Sequence, residues 1–597
     1  ALTLLVVNAY AAAIFGRLKN LPLTFAGGIA IGLAVSYWNW VSGTGRKWPW
    51  LSELRATIPV VILFAILILL PQERLRGGAI KKHREVFRTP TIKSALIWSA
   101  IFVCFVIGLT PMLEAKWEFS LSKGLGFSII ALSMVLLTGY AGEINLAPLA
   151  FAGIGALSAY QFDVGTTVET GAGFATLATC LALLFSYLIL SGFGFRKRRL
   201  WLTSLPIAVV TLIFITFFDG TTGSGIASRE SLSISGLIVA TLISGIVGAL
   251  VALPALRLRG LYLGLATFAF AIFVDKMVYK QRQTLSLDIP FFGDGEDITF
   301  NIFNNGALNM PRPELFGISF KDQQSSMLIL LTVCFSLIAL MLVLLKNSSY
   351  GRQLSAMKDS PAASATLGLN LLRLKLSVFT LAASIAGFGG ALHASNLRAI
   401  QEDAPFTVFE GLGLFMLTVV GGIGYISGAL IGGILYGTAF LVMGDFWAKL
   451  GSDWESLDWF FTFIHDFFLF LGPAVAGIGL GRNPNGIASQ IFDGFKVLGA
   501  KKSRPILISV ISLIMIIWVL RISSLIDGWT FLLLALPVLL ISTLIAEQRT
   551  KAYEETKVKW ELVGIETDIS DDDELTLNQI IGISDSGSKS NSNGRTP

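Results

Sequence analysis

The sequence predicts an all-α, polytopic integral membrane protein, a helical bundle of about 16 spans. Three observations carry that reading. Of 597 residues, 54% are hydrophobic and only 14% are charged, where a soluble protein carries about a quarter. Apolar runs near the ~20 residues a helix needs to cross a bilayer recur along the chain. Basic clusters recur at alternate connections between those runs. The net charge of +6 matters less than where the charges fall.

The runs lie at about 23–40, 56–70, 95–112, 124–141, 145–161, 174–192, 200–218, 233–253, 260–278, 327–345, 376–395, 411–423, 428–444, 460–480, 505–520 and 529–546. The short run at 411–423 suggests a re-entrant or broken helix. Residues 71–93 hold Arg74, Arg76, Lys81, Lys82, Arg84, Arg88 and Lys93 against Glu73 and Glu85, so that loop is assigned to the cytoplasm. Counting spans from it puts RKRR (196–199), Arg257 with Arg259, residues 347–376 and the Lys496–Arg504 stretch on the same side. It puts the acidic loops 281–326 and 445–459 outside.

Residues 347–376, NSSYGRQLSAMKDSPAASATLGLNLLRLKL, form a polar island between apolar runs. Gly351 to Met357 and Pro361 to Leu369 suggest two short amphipathic pieces. Asp359 and Ser360 can cap the second, with Pro361 in its first turn, and Gly368 with Asn370 would end it. Such a piece on the cytoplasmic side is a docking element; the plainer alternative is a connecting loop.

An internal repeat is visible. Residues 14–32 align with 419–437 through Gly16/Gly421, Gly27/Gly432, Gly28/Gly433, Ile29/Ile434 and Gly32/Gly437. Packing glycines alone could produce the match, but both copies continue in the same order to a Pro-containing cytoplasmic turn, which favours duplication. The expected organisation is the end of one membrane unit at 1–78, a basic linker at 79–94 and a second unit at 95–495 with a helix pair inserted near 162–232. A further helix pair at 496–546 and an acidic, compositionally disordered cytoplasmic tail at 547–597 follow. The chain starts without Met inside an apolar run, so the expectation is that an N-terminal part is missing.

Four segments in fixed order resemble a known family. These are LTGYAGEINLAPLAFAGIGALSAY (137–160), LPALRLRGLYLGLATFAF (253–270), GRQLSAMKDSPAASATLGLNLLRLKLSVFTLAASIAGFGGAL (351–392) and VVGGIGYISGALIGGIL (419–435). Together they resemble ABC-transporter permeases of the branched-chain amino acid type, and 1–78 resembles the end of the paired permease. The resemblance implies an ABC-importer permease fold in the cell membrane. It implies docking of cytoplasmic ABC ATPase subunits through Gly351, Arg352, Met357, Asp359, Ala362, Ala363 and Gly368, and a second permease unit, partly fused here. It also implies an extracytoplasmic substrate-binding protein, received at the 281–326 loop. The candidate pathway residues are Gly139, Glu143, Asn145 and Gly153. The chain departs from the family pattern at Glu143, at 145–148 (NLAP), at Ile272 and at Asp275, and in the additional spans of 162–232 and 505–546.

Carboxylates in spans cost at least ~2.5 kcal/mol on insertion scales. Glu143 reads equally as a pathway group or as an interfacial residue in water. Asp275, next to Lys276, reads as a snorkelling, locally paired residue, and Glu410 as interfacial. Cys104, Cys180 and Cys334 sit in apolar runs as small buried residues. His83, His393 and His465 are scattered, so no metal site is expected. With no GxxxxGK[ST] loop, no cofactor is expected in this chain; ATP would be used by the partner ATPase. The expectation is therefore a transport subunit rather than an enzyme, with lipid and protein partners and no nucleic acid. Its cargo would be branched-chain or other apolar amino acids. Urea or short amides are the alternative within the family; a self-sufficient secondary transporter or channel, or a non-transporting receptor or scaffold, are the alternatives outside it.

Overall fold

A computed structural model describes residues 20–43, 90–163, 231–255, 261–275, 307–315, 318–320, 323–401, 406–439 and 504–523, with shorter stretches elsewhere. The expected spans at 56–70, 174–192, 200–218 and 460–480 and the tail at 547–597 lie wholly or largely outside the described residues. The chain divides into two units, Ala1–Ser489 and Gln490–Pro597.

The first unit is helical, as the apolar runs require: inside lipid a backbone must satisfy its own hydrogen bonds. Its helices are α1 (Leu21–Gly43), α2 (Ile92–Leu109), α3 (Ala115–Met134), α4 (Pro148–Asp163), α5 (Ile234–Ala255), α6 (Leu261–Val274) and α7 (Gln324–Asn347). They continue as α8 (Ser349–Asp359), α9 (Pro361–Thr366), α10 (Leu371–Leu397), α11 (Val408–Gly421) and α12 (Ile426–Ile434). Six of these, α1, α2, α3, α5, α7 and α10, are long and apolar enough to cross a membrane. The outward faces of α1 and α2 carry exposed Leu21, Phe25, Leu33, Trp98 and Phe105, as a lipid-facing surface should. In the second unit, the described helix is α13 (Arg504–Ile522), where a span was expected at 505–520. The Arg521 guanidinium closes it by donating to the Ile526 carbonyl at 3.1 Å.

The core forms around α10, whose residues 382–387 and 389–396 are buried, with Phe388 half-buried between them. Small residues let its neighbours approach backbone to backbone. A Cβ on Gly390 would overlap the Ala152 carbonyl of α4, one on Gly155 the Gly387 backbone, and one on Gly387 the Ser244 side chain of α5. The Ser244 hydroxyl also donates across to the Phe151 carbonyl at 3.1 Å. The α3–α12 contact is built likewise, with Gly433 against Ser128 and Gly437 against Gly124. Asp163, buried at the end of α4, accepts from the Ser233 backbone N–H at 2.8 Å and hydroxyl at 2.7 Å. It thereby ties the end of α4 to the start of α5.

Two helices change geometry at their ends. α3 runs into a π turn at Val135–Tyr140 and α12 into one at Leu435–Ala439. The expected break near 411–423 is present: α11 stops at Gly421, Gly422 adopts φ 112°, and α12 starts at Ile426. α1 likewise begins at Leu21, the position that the repeat aligns with Ile426.

Short antiparallel strand pairs lie among the connections. β1 (Leu285–Leu287) pairs with β2 (Ile298–Phe300), β3 (Ala307–Asn309) with β6 (Ala399–Gln401), and β4 (Glu314–Leu315) with β5 (Ile318–Ser319). The β3–β6 register, Leu308 opposite Ile400, closes the pole at which α10 ends and α7 begins. One expectation fails here: Cys104 is exposed on α2, and Cys334 is half-buried. A thiol behaves as a small apolar group, so a lipid-facing position suits it as well as a core one.

If backbone contact at α10 carries the bundle, Gly390→Ala forces α4 away and costs at least ~1–3 kcal/mol. Gly32→Ala meets open space and stays within about 0.5 kcal/mol. Thermal melting of the detergent-solubilised protein, followed by size exclusion, measures both.

Candidate functional site

The polar island folds into two helices. The Ser348 side chain caps α8 by accepting from the Gly351 N–H, and Ser360 caps α9 by accepting from the Ala363 N–H at 3.3 Å. Asp359, expected to share that cap, is instead the last residue of α8. α9 ends in a Schellman turn: the Gly368 N–H reaches the Ala365 carbonyl and the Leu369 N–H the Ser364 carbonyl at 3.1 Å, with Gly368 at φ +85°. Asn370, expected to end this helix, starts the next one: its Oδ1 accepts from the Arg373 N–H at 3.1 Å.

One face of this pair grips the bundle and the other is bare. Tyr350, Leu354 and Met357 are buried, and the Tyr350 hydroxyl lies 2.7 Å from that of Ser377 on α10. Gly351 is pressed against the Lys346 carbonyl. Gly351 and Met357, nominated for docking, therefore serve as anchors. Arg352, Asp359, Ala362, Ala363 and Gly368 are exposed, as are Ala365 and Leu367. Burial raises the Tyr350 phenol far above its ordinary pKa, so this anchor stays neutral.

The anchored face reaches the π turn that ends α3. The Lys358 ammonium donates to the Gly139 carbonyl at 3.0 Å, and its stem lies against Gly142, which holds φ +73°. A lysine at a helix C-terminus meets exposed carbonyls and the negative end of the helix dipole. The Lys346 ammonium sits 4.5 Å from the Tyr140 ring centroid. One residue past Gly142, Glu143 pairs with Lys375 in the first turn of α10, Nζ to Oε1 2.5 Å, each side chain 11% exposed. Glu143 is thus neither solvated nor free; its charge is matched inside the protein.

The other nominated pathway residues are also engaged in local structure. The Asn145 Oδ1 accepts from the Ala147 N–H at 2.9 Å. A Cβ on Gly139 would strike the Ile423 carbonyl and one on Gly153 the Tyr279 hydroxyl; that hydroxyl donates to the Ala150 carbonyl at 3.1 Å. Gly139 thus lies where α3 meets the α11–α12 break, and Gly153 lies within α4 against Tyr279 and Phe406. Their sequence signal, glycine among polar residues between two spans, identified the junction but not the partners Lys358 and Lys375. Asp275 is buried rather than snorkelling. The Glu410 Oε2, expected in water, is buried without a hydrogen-bond partner. His393, fully buried, has neither ring nitrogen bonded and lies between Phe127, at 4.2 Å between ring centroids, and Phe406, at 6.2 Å. Among the described residues no group of three or more His, Cys, Asp or Glu could hold a metal.

A polytopic helical bundle with a glycine-broken helix pair and an anchored polar helix pair defines a permease-type membrane protein. The family described as branched-chain amino acid transport system / permease component matches residues 118–471, more than half of the chain, and the chain belongs to that family. It is 26% identical over 205 residues to the high-affinity branched-chain amino acid transport system permease protein LivM of Salmonella typhimurium, covering 31% of this chain and 44% of the relative. It is 26% identical over 219 residues to LivM of Escherichia coli, covering 33% of this chain and 46% of the relative. The matched part spans about half the length of these relatives. No solved structure matches.

Removing one member of the Glu143–Lys375 pair strands a buried charge. Glu143→Gln or Lys375→Met alone should cost on the order of 3–5 kcal/mol, and the double variant should recover most of it. A double-mutant cycle of melting temperatures reads the coupling.

Proposed function

We propose that this chain is the membrane-spanning subunit of an ATP-driven importer and carries branched-chain or other apolar amino acids toward the cytoplasm. The observation that supports it most is the α8–α9 pair. It is anchored by Tyr350, Leu354 and Met357 on one side and presents Ala362, Ala363, Ala365 and Leu367, flanked by Arg352 and Asp359, on the other. A rigid helical knob of small and apolar residues with charged edges suits a groove on another protein.

That protein, on this reading, is a cytoplasmic ABC ATPase, which uses the ATP. The basic clusters favour a cytoplasmic side for α8, α9 and the C-terminal tail. An extracytoplasmic binding protein would deliver substrate at the opposite pole. A second permease unit, partly supplied by residues 1–78, would complete the pathway. Movement of the ATPase would act on α8, and Lys358 would pull on the Gly139 carbonyl. The π turn, Gly142 and the Glu143–Lys375 pair then join that pull to α3, α4 and α10.

The test is an exposed substitution. Ala363→Glu leaves the α9 cap and the anchors untouched, so the chain should insert and melt as the wild type does. Labelled leucine uptake, in cells that also carry the ATPase and binding protein, should fall at least ~10-fold. Normal uptake by this variant would remove the docking reading. Uptake that survives ATP depletion but collapses with the ion gradient would show a secondary transporter instead.

A further inference from the structure

His393 of α10 is fully buried, and neither of its ring nitrogens has a hydrogen-bond partner. A neutral imidazole carries one donor and one acceptor, and holding both dry and unpaired is unfavourable. An aliphatic side chain would fill the same space without that cost, so the ring suits a conformation in which it meets water. What stands beside it is a phenylalanine with polar groups on its far side. Phe127 of α3 is buried, with its ring centroid 4.2 Å from that of His393 and 4.9 Å from that of Tyr436, in the π turn after α12. The Tyr436 ring lies against Gly413 of α11, one turn from Glu410, whose Oε2 is buried and unbonded. Lys123, one turn before Phe127 on α3, is within electrostatic reach of both His393 and Glu410. An imidazole, a carboxylate, a phenol and an ammonium from four segments thus meet around one apolar ring.

We propose that Phe127 is a plug: in a second conformation of the bundle its ring withdraws from between His393 and Tyr436, and His393, Glu410, Tyr436 and Lys123 then face one water-filled passage. The inference rests on the transport reading above and adds the residue that closes the route in the half of the bundle away from α8. Withdrawal gives water to the two His393 nitrogens and to the Glu410 Oε2, which offsets part of the cost of uncovering an apolar ring. The surroundings leave room for movement. Gly126 stands against the His393 ring and Gly413 against Tyr436, so a small backbone shift meets no side chain at either point. Tyr436 belongs to a π turn, a geometry that recurs at functional sites. On the transport reading, a pull by Lys358 on the Gly139 carbonyl acts on the end of the helix that carries Phe127.

The test uses the full chain in lipid nanodiscs, with Cys104, Cys180 and Cys334 replaced by serine. His393→Cys reports access by its reaction with a charged, membrane-impermeant methanethiosulfonate, and Ala386→Cys, buried elsewhere on α10, is the control. Adding Phe127→Ala should speed the reaction at His393→Cys at least ~10-fold and leave Ala386→Cys protected. Protection of both positions overturns the plug. Exposure of both overturns it too, since that is general loosening. A second variant leaves Phe127 in place: His393→Leu should melt no lower than the wild type, while labelled leucine uptake, in cells that carry the ATPase and binding protein, falls at least ~10-fold. Unchanged uptake, or uptake that merely follows a lowered melting temperature, removes His393 from the passage and overturns the inference. With ATPase and binding protein added to the nanodiscs, ATP should speed labelling of His393→Cys while Phe127 is intact. Labelling that Phe127→Ala accelerates and ATP does not would leave the plug standing and sink the ATP-driven reading.

Discussion

Close approach of helix backbones around α10 is the constraint on which the rest of the structure depends. Lipid tails are as apolar as leucine, so helices inside a membrane gain little by burying leucine against leucine. They gain by fitting closely, and only small residues allow that. Gly387 and Gly390 on α10, with Ala152 and Gly155 on α4 and Ser244 on α5, bring three helices within backbone contact. The positions of α3 and α12 then follow from a second glycine seam, Gly433 and Gly437 against Ser128 and Gly124.

Seams of this kind make a stiff block with few soft places. The soft places are where regular helix ends: the π turn after α3, the π turn after α12 and the glycine break between α11 and α12. π turns inside helices commonly mark functional sites. Here the first of them is held from two directions, by Lys358 on α8 and, through Gly142 and Glu143, by Lys375 on α10. On the proposed reading, a force on α8 would reach this π turn through Lys358.

Polar groups within the bundle follow one rule with a few exceptions. Asp163, Glu143, Gln324 and the hydroxyls of Ser128 and Ser384 each have a partner close by. His393, the Glu410 Oε2 and the Asn396 Nδ2 do not. Unmatched polar atoms in a low-dielectric interior are expensive, and they occur at both poles, since the Thr138 hydroxyl, in the π turn beside α8, has no hydrogen-bond partner either.

The sequence by itself determined the class of the fold and much of its local structure. Apolar run length anticipated the six described helices that are long enough to cross, because a helix must cross a fixed thickness. Ser360, Pro361 and Gly368 specified α9, because caps and left-handed turns are local chemistry. The Gly-rich 411–437 region specified a broken helix for the same reason. Tertiary structure alone decided what those residues meet. Gly351 and Met357 looked available for docking and are anchors, since the face a short helix buries depends on the neighbour it meets. Glu143 looked like a pathway group, and its cation comes from Lys375, more than two hundred residues away along the chain. The hydrogen-bonded cluster of Ser122, Arg312, Gln324 and Asn396 carried no motif, because its residues sit on separate segments that converge only when α3, α7 and α10 pack.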